Sequence, residues 1–234
     1  MLSIIIPAYN EEKRLPEALD RTLKYLKNRK IKNEIIIVAD KSKDRTLGVV
    51  QEYTKKFKNV YYIYNPKKQG KGHAVRKGIL ASKGSLVLFI DADTSTPITE
   101  LDKFLPKIKN YDIVIGSREH KDSDVKKKLI SRVVLGNMGN ILLRIFLIKR
   151  VRDTQCGFKL FRGNIARELF SLSRINGFGF DFEIIFLAQK KRYKIKEMPV
   201  NWIYCEGTKV TWQSHFKTLS ELFKIKLNHL LGKY

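Results

Sequence analysis

Asp91 and Asp93, at the end of the apolar run Ser85-Leu-Val-Leu-Phe-Ile90, carry the strongest chemical signal in this chain. Alternate residues of an extended chain leave on the same side, so the two carboxylates can converge on one cation. Oxygen-only ligation suits a hard ion such as Mg2+ or Mn2+, which keeps coordination positions open for substrate phosphates. Together these residues are equipment for holding a nucleoside diphosphate. Asp-x-Asp also arises by accident in acidic turns, but a place directly after a buried strand favours the metal-binding reading.

Two further stretches have chemical character. In Lys67-Lys-Gln-Gly-Lys-Gly-His73, glycines on both sides of Lys71 allow backbone and ammonium to approach a phosphate. This is not a Walker A loop, because Gly72 follows Lys71 where Ser or Thr is required. A solvated basic loop is the plainer alternative, and His73 receives no role. Farther on, Asp153-Thr-Gln-Cys-Gly-Phe-Lys-Leu-Phe161 and Gly177-Phe-Gly-Phe-Asp-Phe-Glu183 set polar residues among Phe and Gly, the composition of a shaped pocket. Asp181 and Glu183 are its candidate acid/base carboxylates. Glu183 reads equally well as an exposed position on a helix continuing through Gln189, and both readings stay open.

The elements that must position these groups follow from hydrophobic periodicity. Short β-branched runs predict strands at Leu2–Ile6, Glu34–Ala39, Val60–Tyr64, Ser85–Ile90 and Asp112–Ile115, and helical patterns fall at Pro16–Lys30, Asp44–Phe57, Gly72–Ala81 and Thr99–Lys109. Strands separated by single helices imply right-handed crossovers and a mostly parallel, Rossmann-like α/β sheet covered on both faces. Such sheets bind ligands at the carboxyl ends of their strands, so Asp40 and Asp91 should face one crevice. Beyond Gly116-Ser-Arg118 the character changes. From Lys126 to Ile148, Lys128, Arg132, Gly136, Asn140 and Arg144 form a polar stripe opposite a broad apolar face. That pattern fits a core helix with a solvated stripe or a helix lying in a membrane interface. The segment His215–Leu231 is similarly basic and amphipathic. With no repeat or low-complexity linker, one domain spanning 1–234 is expected.

Composition narrows the function classes. The 234 residues are 43% hydrophobic, enough for one good core, and 47 Lys+Arg against 23 Asp+Glu leave a formal charge of +24. Such a surface attracts nucleic acid, anionic lipid or phosphorylated substrates. Cys156 and Cys205 lie far apart with no C-x-x-C, which argues against a disulfide framework and a zinc site and fits a reducing cytoplasm. Met1–Pro7 has no basic leader and too short an apolar run for a signal peptide. Leu129–Ile148, the one stretch long enough to span a bilayer, carries Arg132, Asn137, Asn140 and Arg144, so no transmembrane helix is expected.

Ile4-Ile-Ile-Pro-Ala-Tyr-Asn-Glu-Glu12, Asp40 with Ser42-Lys-Asp44 and Thr46, and Asp91-Ala-Asp93 together resemble the inverting glycosyltransferase family 2, whose fold is called GT-A. Asp153-Thr-Gln-Cys-Gly-Phe158, Val200-Asn-Trp202 and Gly207-Thr-Lys-Val210 resemble its polyprenyl-phosphate branch, the dolichyl-phosphate β-glucosyltransferases. The resemblance implies that Pro7, Ala8, Tyr9, Glu11 and Asp40 hold the base and ribose of a nucleotide sugar, with Lys71 nearby. It also implies that Asp91, Ala92 and Asp93 meet the diphosphate, the two carboxylates through the metal. Arg118 would hold the acceptor phosphate, with Lys127 and Arg132 assisting. Residues 1–117 would then form the donor half and 118–234 the acceptor half, with amphipathic interface helices.

The implied reaction is metal-dependent, inverting transfer of a hexose, foremost glucose from UDP-glucose, to a dolichyl or polyprenyl phosphate. The enzyme would be cytoplasmic, peripherally bound to the anionic cytoplasmic face of a membrane. A phosphate monoester with a second pKa of about 6 is already largely dianionic at neutral pH, so the nucleophile needs cationic positioning more than a base. A sugar-hydroxyl acceptor would instead require Asp181 or Glu183 as base. The competing expectations are a dolichyl-phosphate mannosyltransferase using GDP-mannose and a family 2 enzyme extending a saccharide. Outside enzymes they are a non-catalytic nucleotide-sugar binder and a basic nucleic-acid-binding α/β protein. The last lacks any RRM, KH or zinc-finger pattern.

Overall fold

The structure is a computed structural model and describes residues 1–126, 148, 151–205 and 212–234. In chain order the elements are β1 (Leu2–Ala8), α1 (Leu15–Asn28), β2 (Asn33–Asp40), α2 (Thr46–Lys56), β3 (Val60–Asn65), α3 (Lys71–Ala81), β4 (Leu86–Ile90), α4 (Leu101–Lys107) and β5 (Ile113–Ser117). They continue with β6 (Val125–Lys126), β7 (Phe158–Arg162), α5 (Gly163–Leu172), α6 (Phe180–Lys190), β8 (Ile195–Pro199), β9 (Trp202–Ile203) and α7 (Trp212–Leu230).

Seven strands hydrogen-bond in the order β3-β2-β1-β4-β7-β5-β8, and β6 pairs with β9. Pairing is parallel from β3 through β4 and again between β5 and β8, whereas β7 runs antiparallel to both its neighbours. The expected α/β sheet is present and mostly parallel. The antiparallel strand β7 and the outer strand β8 are additions that periodicity did not predict. In β7 the reason is visible: Phe-Lys-Leu-Phe-Arg contains two cations, yet Lys159 is only 1% exposed.

The strands alternate between two cores, as a period of two requires. Ile5, Ile36, Val38, Val87, Phe89 and Phe161 face one side, where α3, α5, α6 and α7 contribute Val75, Phe170, Ile185 and Leu222. Ile4, Ile6, Ile35, Ile37, Leu88, Phe158 and Leu160 face the other, covered by Leu15, Leu19 and Phe104 from α1 and α4. With both faces buried, the central strands read as continuous apolar runs.

The amphipathic stretch 127–147 lies outside the described residues. So do Lys127, Arg132, the motif Gly207-Thr-Lys-Val210 and all but Ile148 of the bilayer-length segment Leu129–Ile148. Among the described residues, no helix is long and apolar enough to cross a membrane.

Candidate active site

Because β1, β2 and β4 are parallel, their carboxyl ends lie along one edge of the sheet, and the loops leaving them form a cavity of about 540 Å3. Its wall includes Pro7, Ala8, Tyr9, Glu11, Asp40, Lys71, Asp91, Ala92 and Asp93, every residue expected to meet the donor. Gly177 and Phe178, from the stretch read as a shaped pocket, and Lys68, from the basic loop, also line it; Arg14, Ser214 and Lys217 line it too and were not among the expected site residues.

The first two loops are stapled by reciprocal side-chain to backbone bonds. Asn10 N donates to Ser42 Oγ, Glu11 N to Thr46 Oγ1 and Glu12 N to Asp44 Oδ2, while Lys43 N and Arg45 N donate back to Asn10 and Glu12. Asn10 takes a φ of 54°, which an asparagine tolerates better than most residues. Thus Asn10-Glu-Glu12 and Ser42-Lys-Asp44 with Thr46 are structural partners, and the staple presents Tyr9 to the cavity. Lys68 Nζ lies 4.0 Å from the centroid of the Tyr9 ring. Glu11 is only 7% exposed and accepts a forked bond from Arg14 Nε and Nη2.

Asp40 sits at the carboxyl end of β2, almost fully buried. Its Oδ1 accepts from Asn65 Nδ2 at 2.7 Å and its Oδ2 from the backbone N–H groups of Gln69 and Gly70 at 3.2 and 3.3 Å. Asp40 therefore fixes the basic loop that precedes α3. The glycines of that loop serve packing: Gly70 has φ 110° with its Cα against the Asn176 carbonyl, and a Cβ on Gly72 would lie 2.6 Å from Phe180 Cβ. Both glycines thus pack against segment 175–180, while Gly70 and Lys71 also line the cavity. Lys71 alone of this motif extends its side chain to the carboxylates.

Lys71 Nζ is 2.7 Å from Asp91 Oδ1. Burial pulls its pKa down, but the charges of Asp91, Asp181 and Asp93 outweigh this and the net shift is upward. Asp93 Oδ1 accepts from Ser95 N at 3.0 Å, closing the turn after β4. The Asp91 carboxylate lies against Gly157, where any Cβ would overlap it, and Asp91 N donates to Gly157 O at 3.2 Å.

Arg118 is gripped by Asp153. Its Nε and Nη2 reach the two carboxylate oxygens at 2.7 and 2.9 Å, and its backbone N–H adds a third bond at 2.9 Å. Burial lowers the arginine pKa and raises that of the aspartate, and the mutual bonds overturn both, so the pair is fully ionised. Glu197 of β8 accepts from Asp153 N at 2.8 Å and so braces the brace. Arg118 keeps about a third of its side chain exposed, at 34%, beside the Trp202 ring.

Asp181 is 3% exposed and not part of the cavity wall; it forms an ion pair with Lys159, whose Nζ also donates to Cys156 O at 2.6 Å. Burial drives the Asp181 pKa up against the pull of Lys159 and Lys71. Glu183 is neither exposed nor facing the site. It is fully buried and accepts from the N–H groups of Arg174 and Ile175 at 2.8 and 3.0 Å and from the Tyr234 hydroxyl.

A sequence model described as Glycosyl transferase family 2 matches residues 3–170. The chain belongs to that family. Dolichyl-phosphate beta-glucosyltransferases are among its relatives: one from Trichomonas vaginalis is 38% identical and one from Homo sapiens 35%, each match covering all of this chain and 75% and 77% of the relative. One from Dictyostelium discoideum is 39% identical, over 99% of this chain and 75% of its own. Solved structures share the fold. Mycobacterium tuberculosis glucosyl-3-phosphoglycerate synthase in complex with Mn2+, UDP and glucosyl-3-phosphoglycerate superposes with a TM-score of 0.70 at 17% identity, covering 97% of this chain and 79% of that one. Mannosyl-3-phosphoglycerate synthase from Rubrobacter xylanophilus reaches 0.73 at 15% identity, over 100% and 74%.

In this family 2 glycosyltransferase Asp91 and Asp93 both line the cavity, and carboxylate oxygens are the donors a hard divalent ion takes. Among the described residues no three His, Cys, Asp or Glu side chains converge. An ion held there by the two carboxylates would need phosphate oxygens and water to complete its shell.

Proposed function

We propose that the protein transfers glucose from UDP-glucose to a dolichyl or related polyprenyl phosphate, with inversion, at the cytoplasmic face of a membrane. The observation that carries this reading is the convergence of Asp40, Lys71, Asp91 and Asp93 on one cavity, with Arg118, braced by Asp153, off the cavity wall but within reach of the Asp91 charge. The relatives' shared description supports glucose and the lipid phosphate, and the UDP complex of a fold neighbour supports the donor class.

Each residue then has a task. Tyr9 offers a ring face to the base, Asp40 holds the wall behind it, and Lys71 stands where the diphosphate must lie. Asp91 and Asp93 would hold Mg2+ or Mn2+, which when bound neutralises charge developing on the leaving UDP. Arg118, immobilised by Asp153, presents its remaining face to the acceptor phosphate; Lys127 and Arg132 are proposed to assist. With that dianion as nucleophile no proton has to be removed. Asp181 then acts electrostatically, through its buried pair with Lys159, rather than as a base.

Membrane contact is proposed through α7. Phe216, Phe223, Leu227 and Leu230 are 54–73% exposed along one helical face, with exposed Lys217, Lys224 and Lys226 beside them. An interfacial helix needs this pairing of apolar face and basic flanks.

The test is a transfer assay with UDP-glucose, UDP-GlcNAc and GDP-mannose against dolichyl phosphate and free dolichol. UDP-glucose and the phosphate acceptor should give product, and Asp91→Ala or Asp93→Asn should abolish it while the protein stays folded. Product from GDP-mannose alone, or from the free alcohol, would overturn the reading.

A further inference from the structure

We infer that Lys71 is a built-in counter-ion for Asp91, exchanged for the divalent cation only when the nucleotide diphosphate arrives, so that donor and metal enter as a coupled pair. The inference rests on the nucleotide-sugar reading above and adds to it an order of binding.

The two groups are joined at 2.7 Å while 20% and 29% of their side chains remain exposed, so both are reachable from the cavity. The ammonium stands in a negative setting, attracted by Asp91, Asp181 and Asp93 together, with the Phe89 and Phe178 rings 5.4 and 6.0 Å away. Asp181 is no alternative resting place, because Lys159 already holds it. An incoming cation would therefore meet a carboxylate already paired with an ammonium. Two cations on one carboxylate repel strongly at low effective dielectric. A diphosphate changes the balance: it gives the ammonium a better anion than a carboxylate shared with a metal, and it brings phosphate oxygens to complete the ion's shell.

The backbone favours this exchange. Lys71 opens α3, and Gly70 and Gly72 are packed against segment 175–180, so the helix end is fixed and only the side chain has to swing. No movement of α3 or β4 is needed, which keeps the exchange local.

Mn2+ titration followed by the electron paramagnetic resonance signal of the free ion, without any acceptor, tests this directly. Wild-type protein should bind Mn2+ weakly alone and at least about tenfold more tightly with saturating UDP, a change of ~1.4 kcal/mol. Lys71→Met should bind Mn2+ without nucleotide about tenfold more tightly than wild type and should bind UDP more weakly. Lys71→Gln should do the same, and Lys71→Arg, which keeps the charge, should resemble wild type. Lys68→Met removes a neighbouring cation held over Tyr9 and should not raise Mn2+ affinity, separating a specific counter-ion from general charge. If UDP promotes Mn2+ binding in wild type but neither neutral Lys71 variant gains affinity for the ion alone, the counter-ion inference is wrong and the donor reading survives. If UDP promotes no Mn2+ binding to any variant, the donor and metal reading falls and the inference with it.

Discussion

At the residue scale the site is a set of charges held by other charges. Arg118 illustrates this, since its direction is set by three bonds to Asp153 and, through Asp153, by Glu197. Asp153→Asn should lower stability by about 2 kcal/mol, because one partner of a mostly buried pair is neutralised while the other stays partly solvated. In thermal melts that corresponds to a drop of roughly 4–8 °C for a chain of this size. Turnover should fall further than nucleotide binding if Arg118 handles the acceptor. The sign of the pH effect follows from the depressed Asp153 pKa: its contribution is complete above the ordinary carboxylate value of about 4 and is lost as pH falls through the folded value below it. The Asp153→Asn variant should therefore lose less stability than wild type on acidification in that window. A wild-type melting curve no more acid-sensitive than the variant's would refute the brace. Asp91, Asp93 and Asp40 were legible in the sequence because each follows an apolar strand. Lys159 was not, since a lysine within Phe-Lys-Leu-Phe reads as solvent-facing until its partner Asp181, twenty-two residues on, is seen beside it.

At the element scale, packing turns on a few close approaches. Gly157→Ala would push a methyl into the Asp91 carboxylate, so it should impair Mn2+-dependent UDP binding by tenfold or more, ~1.4 kcal/mol, with far-UV circular dichroism unchanged. Helix α7 makes a complementary prediction. Its inner face buries Leu222 and Ile225, and Glu221 accepts from Gly179 N at 2.8 Å; its outer face carries Phe216, Phe223 and Leu227. Replacing these three outer residues with serine should abolish sedimentation with anionic vesicles and leave the melting temperature within a few degrees. Unchanged vesicle binding would exclude α7 as the contact. The strands and helices of the first half were legible to within a few residues from periodicity alone. The second half was less so, because β7 carries cations and β8 is the half-buried run Ile-Lys-Glu-Met-Pro, with no clean alternation to read.

At the scale of the whole molecule, the charge of +24 acts on association rather than on fold. Binding to anionic vesicles should weaken markedly between low salt and about 0.5 M, as the screening length falls below ~10 Å. Salt-independent binding would assign the contact to apolar insertion alone. Thiol chemistry gives a check on the global packing. Burial pushes the Cys156 thiol up to about 12, whereas Cys205 is half-exposed. Iodoacetamide at pH 8 should therefore label one cysteine in the native protein and two after denaturation.

The place of β7 has a consequence for how the protein is made. Strands β4 and β5 do not pair with each other; β7, emerging about forty residues after β5, fills the slot between them and runs the opposite way. A ribosome that has released only the chain through Ser117 holds β3, β2, β1 and β4 ready to assemble, but β5 with no neighbour on either side. Residues 1–117 are thus not an autonomous folding unit: their last strand, β5, joins the sheet only through β7 and β8 of the remainder. Such distant pairing slows folding, since a long loop must close before the contact forms. Nascent chains arrested before residue 158 should stay sensitive to protease at β5, and those arrested well beyond β8, with that segment clear of the exit tunnel, should become resistant.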